Sequence, residues 1–106
     1  MSKATKSAGG IMERFILAIN AFKAKFGYWP TKIEAHEGTI VTLALGHLTP
    51  LGFFLLQSRV EIEVSTEFDI RLSGQGRDAL VYGDEDCFEL AQGRKHEARA
   101  WLGWDD

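Results

Sequence analysis

GTIVTLALGHLTPLGFFLLQS, residues 38–58, is the stretch on which the fold depends, because it contains no Asp, Glu, Lys or Arg. A run of about 20 apolar residues could form a transmembrane helix. Here Pro50 interrupts the run, and Thr42, His47 and Thr49 would need polar partners in hydrocarbon. No Lys/Arg cluster flanks the run to orient a span. We therefore expect a buried segment of a folded domain and no membrane partner.

This stretch is predicted to form two short helices joined at residues 47–49. Thr49-Pro50 is a typical helix start, because the Thr hydroxyl can accept an early backbone N–H and Pro has no N–H to leave unpaired. Gly46 is a plausible end of the first helix, although a Gly inside a helix is also tolerated. Apolar residues occur all around both helices, and such helices are covered on most sides. The helix pair is therefore predicted to be the core.

The strongest helix signal precedes this pair. Apolar residues recur at helical spacing over Ile11–Phe26, and Gly27 suits a C-terminal cap. The polar side of this helix is expected to include Asn20. Near the C-terminus, residues 94–104 are predicted to form a shorter helix that turns Ala98, Trp101 and Leu102 inward.

Alternating apolar and polar residues predict four strands, at residues 31–36, 60–64, 68–72 and 79–82. The first two flank the helix pair, which favours a right-handed crossover between parallel strands. In the second strand, Val60, Ile62 and Val64 are expected to face inward. The last two strands flank a Gly-containing loop and predict an antiparallel hairpin. The predicted fold is an α/β or α+β single domain, with a mixed sheet of about four strands covered by the N-terminal helix and the helix pair.

The composition is that of one small globular domain of 106 residues, with 45% hydrophobic and 25% charged residues. Residues 1–10 are predicted to be a disordered tail before a globular unit at 11–106, and Met12 is a possible alternative start. Cys87 is the only cysteine, so no intrachain disulfide can form. A single thiol fits a reducing compartment, and we expect a cytoplasmic location.

The two halves of the chain differ in charge. Residues 1–53 carry six Lys/Arg and three Glu, whereas residues 54–106 carry six Lys/Arg and twelve Asp/Glu. The acidic half disfavours nucleic acid as a partner, because phosphate binding needs clustered cations. It is compatible with a basic protein partner, although a solvated acidic surface is the more ordinary explanation.

No motif predicts a catalytic or metal site. Gly74-Gln75-Gly76 lacks the remaining residues of a dinucleotide or phosphate loop and fits a hairpin turn. Cys87 lies among carboxylates, which disfavour the thiolate that a nucleophile requires. Asp84–Asp86 is typical of an exposed acidic loop, and the histidines lack zinc-ligand spacing. His47 is expected to be a hydrogen-bonded structural histidine. A helix-turn-helix over residues 40–59 would present Pro, Leu, Gly and Phe to DNA bases, which they cannot read.

Three functions remain open. The first is a non-enzymatic interaction protein, either a homo-oligomer or an accessory, immunity or antitoxin-like binder of another protein, with no cofactor or metal. Its interface is predicted to include Glu61, Glu63, Asp69 and the near-terminal Trp104, the aromatic residue least expected to be fully buried. The alternative for Trp104 is packing together with a terminal helix that Trp101 docks. The second is a small enzyme or ligand-binding domain with a site assembled from His36, Asp69, Tyr82, Asp84 and His96. The third is nucleic-acid binding.

Overall fold

The helices and strands follow the predicted order, with one short helix added. The computed structural model describes residues 3–6, 10–92 and 97–104. In chain order the elements are α1 (Ile11–Phe26), β1 (Lys32–Ala35), α2 (Glu37–Thr42), a π-helical segment (Leu43–His47), α3 (Pro50–Arg59), β2 (Glu61–Val64), β3 (Ile70–Ser73), β4 (Ala79–Val81), α4 (Cys87–Leu90) and α5 (Glu97–Leu102). The short α4 had no signal in the sequence pattern.

Helix α1 has the predicted limits. Gly27 follows it with a φ of 83°, in the left-handed region that favours glycine, and its N–H donates to the Lys23 carbonyl oxygen. The buried side of α1 is wider than its apolar stripe, because Asn20 is buried as well. The Asn20 Oδ1 accepts the backbone N–H of Ala98 at 2.9 Å. A polar residue expected on the outer face therefore holds the first turn of α5 against α1.

The four strands form one mixed sheet in the order β2-β1-β3-β4. Strands β1 and β2 are parallel, with Ile33 opposite Ile62, and the crossover between them contains α2, the π-helical segment and α3. Strands β1 and β3 are antiparallel, and β3 and β4 form the predicted hairpin. The α/β architecture and the mixed sheet expected from the sequence are confirmed.

The centre of the core lies between α1 and the sheet. Side chains fully buried there include Phe15, Ile19 and Phe22 on α1, and Ile33 and Leu72 on the strands. The prediction that residues 38–58 are the core is wrong in part. In that stretch only five residues are buried: Thr39, Leu43, Leu48, Gly52 and Leu56. Both helices have one face against the rest of the domain, and no other described element covers their outer faces.

Strand β2 is an edge strand and is less buried than predicted. Val60 precedes it and is buried, and Ile62 is half-buried, but Val64 is 62% exposed. The sheet ends at β2, so only β1 pairs with it. The alternating pattern predicted this strand correctly, but the expected inward position of Val64 is wrong.

The C-terminal helix α5 packs as predicted, although the aromatic residues around it differ in exposure. Ala98 and Leu102 are fully buried, and Trp101 stacks on Trp29 with ring centroids 4.8 Å apart. Trp104 is also fully buried, and its Nε1–H donates to the Gly52 carbonyl oxygen at 3.0 Å. The prediction of an exposed Trp104 at an interface is therefore wrong, because the end of α5 places its ring against α3.

Part of the N-terminal region is also packed. Ala4 and Thr5 are buried, and Thr5 forms an isolated antiparallel bridge with Leu48. The Ala4 carbonyl oxygen accepts the N–H of Thr49, and the Lys6 N–H donates to the His47 carbonyl oxygen. The predicted tail over residues 1–10 is thus wrong for residues 3–6, while residues 1–2 and 7–9 lie outside the described part of the chain.

Residues 3–6, 10–92 and 97–104 form no helix with the length and apolar character that crossing a membrane requires.

Candidate protein-interaction surface

Large apolar side chains are exposed on the outer faces of α2, the π-helical segment and α3. Six large hydrophobic residues of the described chain are exposed, and four of them lie between residues 41 and 54: Val41, Leu45, Leu51 and Phe54. Leu45 is 72% exposed and Phe54 is 64% exposed. Single exposed apolar residues are common, but a contiguous group marks an interaction site. We call these four residues the apolar patch.

The helix caps fix the backbone that presents this patch. His36 caps α2, because its Nδ1 accepts the Gly38 N–H at 3.1 Å. Thr49 caps α3 as predicted: its Oγ1 accepts the Gly52 N–H at 3.1 Å, and Pro50 occupies the first helical turn. The Thr49 hydroxyl also donates to the Lys3 carbonyl oxygen at 2.7 Å. The two helices are thus joined at a defined corner that the N-terminal segment supports.

An open groove with a volume of about 420 Å³ runs between α3 and the π-helical segment that continues α2. We call it the α2–α3 groove. Its lining residues are Lys6, Ala44, Leu45, Leu48, Pro50, Phe53, Phe54 and Gln57. On α3 these residues recur at positions 50, 53, 54 and 57, which is one face of a helix. Leu45 and Phe54 of the apolar patch belong to opposite walls, so the patch and the groove share these two residues.

The first wall of the groove includes a π-helical turn. The Leu48 N–H donates to the Leu43 carbonyl oxygen at 3.0 Å, a bond that spans five residues instead of four. Such turns are rare and occur frequently at functional sites. The turn adds one residue to the helix immediately before the corner, in the segment that carries Leu45. The wall is therefore an irregular helix with an exposed apolar side chain at its centre.

The groove has a positive rim and no carboxylate. Lys6 is its one charged lining residue, and the Lys6 Nζ donates to the Leu45 carbonyl oxygen at 2.9 Å. Lys3 lies on the same N-terminal segment, and the nearest acidic residues in the sequence on either side of residues 38–58 are Glu37 and Glu61. A partner for this surface is therefore expected to combine apolar anchors with acidic neighbours.

His36 and Asp69, from the predicted ligand site, lie at the same end of the sheet but are engaged in structural contacts. The His36 N–H donates to the Asp69 carbonyl oxygen at 3.3 Å. The Asp69 Oδ1 accepts from the Thr39 hydroxyl at 2.5 Å, and its Oδ2 lies 3.7 Å from the Arg14 guanidinium. These contacts tie α1 and α2 to the start of β3.

The other predicted ligand-site residues are not brought into the same cavity. A cavity of about 200 Å³ near the end of β4 is lined by Tyr82, with Leu17, Gly83, Glu85, Asp86, Cys87 and Phe88. Asp84 is exposed next to it, and His96 lies outside the described residues. Of the five predicted residues, this cavity contains only Tyr82. No group of three His, Cys, Asp or Glu side chains in the described part of the chain is placed to hold a metal ion.

The predicted acidic interface is largely paired with cations of its own chain. The Glu63 carboxylate bonds to the Lys32 Nζ at 2.5 Å and raises the pKa of that lysine. A neighbouring pair, Glu34 with Arg71, is separated by 2.6 Å. Glu61 is exposed on the same edge strand. Because Glu63 and Asp69 both have cationic neighbours, these carboxylates form a mixed-charge surface instead of an acidic patch.

Cys87 is buried at the start of α4, and burial raises the pKa of its thiol to about 11, assisted by the carboxylates of Glu85 and Asp86. The ordinary value is 9.0, so the thiolate fraction at pH 8 is lowered on the order of 100-fold. We expect iodoacetamide to modify the native protein at pH 8 at least about 100-fold more slowly than the urea-unfolded chain. The native rate should rise with pH up to pH 11. A native rate within about threefold of the unfolded rate would contradict this environment.

The apolar surface was not predicted as a site, although its residues were the first feature of the sequence. The available signal was the absence of a polar face on either helix, which we attributed to burial from all sides. The same pattern is produced by helices that leave one apolar face for a partner.

Comparisons of the chain with protein-family models, with curated proteins and with solved structures found no match.

Proposed function

We propose that this chain is a non-enzymatic protein-interaction module whose binding surface is the apolar patch together with the α2–α3 groove. The observation that carries the proposal is the exposure of Val41, Leu45, Leu51 and Phe54 in a stretch without charged residues. Covering exposed apolar groups with a partner stabilises the complex by roughly 25 cal/mol for each Å² of apolar surface that is buried. The groove between the helices gives such a partner a concave seat.

The chemistry of the groove favours a protein over the other partners considered. Its lining combines aliphatic and aromatic side chains with one lysine and one glutamine. Nucleic acid would require several cations beside the aromatic rings, and the groove has one. An enzyme site would require titratable groups that converge on a cavity, whereas His36 and Asp69 are used in contacts between elements.

The proposal is tested with a double variant and a single control variant, for which opposite results are expected. Leu45→Ser/Phe54→Ser removes the centre of the surface, whereas Val64→Ser changes an equally exposed residue on β2. Tagged wild type and both variants are incubated with nuclease-treated lysate of the source cells, and retained proteins are quantified by mass spectrometry. Self-association of each purified protein is measured in parallel by sedimentation velocity.

We expect a partner, or self-association, that Val64→Ser keeps and that Leu45→Ser/Phe54→Ser reduces at least about tenfold, as loss of buried anchors does. Circular dichroism spectra must show that both variants are folded. If no captured protein and no self-association depends on Leu45 and Phe54, the proposed function is wrong.

A further inference from the structure

One exposed aromatic residue lies outside the apolar patch, on α4. Phe88 is 73% exposed, the largest exposed fraction among the large hydrophobic residues of the described chain. It follows Asp86, whose Oδ1 caps α4 by accepting the Glu89 N–H at 3.1 Å. The cap fixes the backbone of this single helical turn. Phe88 is therefore a protruding aromatic ring on an ordered support.

The surroundings of Phe88 are acidic. Asp84, Glu85, Asp86 and Glu89 lie within four residues of it, and among the described residues the ion pair given for this group is that of Lys25 with Glu85. Asp84, Asp86 and Glu89 are all exposed. We call Phe88 with these three carboxylates the acidic knob. It combines a protruding apolar side chain with negative charges. These features are complementary to the apolar lining of the α2–α3 groove and to Lys6.

The groove can accept such a knob. A cavity of about 150 Å³ lined by Leu, Ile and Phe is sufficient to bind benzene in an engineered protein. The α2–α3 groove has about 420 Å³ and is lined by Leu45, Leu48, Phe53 and Phe54. The groove is open to solvent, so a phenylalanine ring inserted there would contact these side chains while its helix lay at the rim. Lys6 at the rim would then face the carboxylates of the knob, at a surface where no other lining residue is charged.

We propose that the partner of the α2–α3 groove is a second copy of this chain, which inserts its acidic knob. This inference rests on the proposed function, because it names the occupant of the same groove. The knob and the groove are different surfaces of one chain: α4 packs on α1, whereas the groove belongs to the crossover between β1 and β2. The contact is thus head-to-tail, and each copy keeps a free knob or a free groove for the next copy. Such contacts produce rings or open chains.

A lipid surface fits these features less well than a second copy. Helices that lie on membranes carry several Lys or Arg beside a convex apolar face. Here the apolar surface is concave between two helices, and the second exposed aromatic is surrounded by carboxylates, which anionic lipids repel. The division of charge between the two halves of the chain also favours contact between unlike surfaces of two copies.

The test uses the full chain with two complementary variants. Phe88→Ser removes the knob and keeps the groove, whereas Phe54→Ser removes a wall of the groove and keeps the knob. Val64→Ser is the control, because Val64 is 62% exposed and belongs to neither surface. Sedimentation velocity is recorded from about 10 μM to 1 mM, a range chosen because burial of one aromatic anchor gives a weak contact. Unfolding midpoints confirm that each variant is folded.

Wild type and Val64→Ser are expected to form species larger than a dimer as concentration rises. Phe88→Ser and Phe54→Ser alone should each associate at least about tenfold more weakly. Their equimolar mixture should form a 1:1 dimer and nothing larger, since it contains one intact knob and one intact groove for each pair. Raising the salt concentration from about 0.05 to 0.5 M should weaken association without abolishing it, because only the charged part is screened.

Other results would overturn this inference in distinguishable ways. A wild type that stays monomeric at 1 mM, or a dimer lost in Phe54→Ser and kept in Phe88→Ser, excludes the acidic knob as the occupant. Either result leaves the proposed function intact if a captured protein still depends on Leu45 and Phe54. Monomeric protein that co-sediments with phosphatidylserine vesicles would assign the surface to lipid instead. If neither binding nor association depends on the groove, both proposals fail together.

Discussion

Gly52→Ala is expected to destabilise the full chain by roughly 1–3 kcal/mol, although alanine is the better helix former. Gly52 lies on α3, where the N-terminal segment crosses the helix. A Cβ built at this position would lie 1.9 Å from the Ala4 carbonyl oxygen and 2.9 Å from the Ala4 carbonyl carbon. Both atoms belong to the backbone, so no side-chain rotation can relieve the contact. Either the N-terminal segment leaves α3 or the helix shifts.

The contacts at risk in this variant are specific. The Ala4 carbonyl oxygen accepts the Thr49 N–H at 3.0 Å, and the Gly52 carbonyl oxygen accepts the Trp104 Nε1–H at 3.0 Å. Movement of the segment loses the first bond, and movement of the helix loses the second. The expected cost therefore includes a broken hydrogen bond as well as the steric overlap.

The same substitution in a shortened chain shows whether the cost comes from the clash with Ala4 or from a change in α3 itself. In a chain that begins at Gly10 after an initiator Met, Ala4 is absent, and Gly52→Ala should be neutral or stabilising by up to about 1 kcal/mol. Urea unfolding of the four proteins gives the difference directly. Gly46→Ala is the matched control in the full chain, because its added Cβ would meet nothing closer than the Thr42 methyl group at 3.9 Å. Equal losses in both backgrounds would show that residues 3–6 do not contact α3 as described.

The parts of the fold that depend on residues close together in the sequence could be predicted from the sequence. Helix α1 has its predicted limits because its apolar spacing and the Gly27 cap are both local features. The hairpin and the Thr49-Pro50 helix start are local in the same sense. The crossover followed from the order of the segments alone, because two strands that flank a helix pair have few ways to join one sheet.

Burial could not be predicted in the same way, because it depends on which surfaces meet. Nothing in the sequence around Leu45 and Phe54 distinguishes an apolar residue packed on α1 from one left for a partner. Asn20 was assigned to the outer face because it is polar, but the Ala98 N–H that it binds is 78 positions away. The sequence shows that residues 38–58 are apolar, but it does not show which of them are exposed. Because the candidate site is defined by exposed apolar residues, it could not be recognised from the sequence.

Phe88 shows the same limit in a polar part of the sequence. The acidic residues around it were visible in the sequence and were interpreted as an exposed loop. The one-turn helix α4 and the exposure of its aromatic ring became evident only in the structure. If the acidic knob of one copy occupies the α2–α3 groove of another, as proposed, acidic residues of the C-terminal half would lie beside Lys6 of the N-terminal half.

The second large effect is expected at Trp104. Trp104→Ala should lower the free energy of unfolding by about 3–5 kcal/mol, as truncation of a fully buried aromatic side chain does. Since small domains have only about 5–15 kcal/mol in total, this variant should be close to unfolding in moderate urea. The ring closes the contact between the end of α5 and α3, and both lose a neighbour when it is removed.

Two further tryptophan variants separate the contribution of the Trp104 hydrogen bond from that of the buried ring. Trp104→Phe keeps most of the apolar contact but removes the hydrogen bond from the indole N–H to the Gly52 carbonyl oxygen, so we expect a loss of roughly 0.5–1.5 kcal/mol. Trp101→Ala removes a half-buried ring stacked on Trp29 and should cost less than Trp104→Ala. Urea unfolding monitored by far-ultraviolet circular dichroism avoids the loss of the fluorophore itself. Equal destabilisation by Trp101→Ala and Trp104→Ala would mean that Trp104 does not fill the position between α5 and α3. The groove on the outer side of α3 would then lack the rigid support on which its proposed role depends.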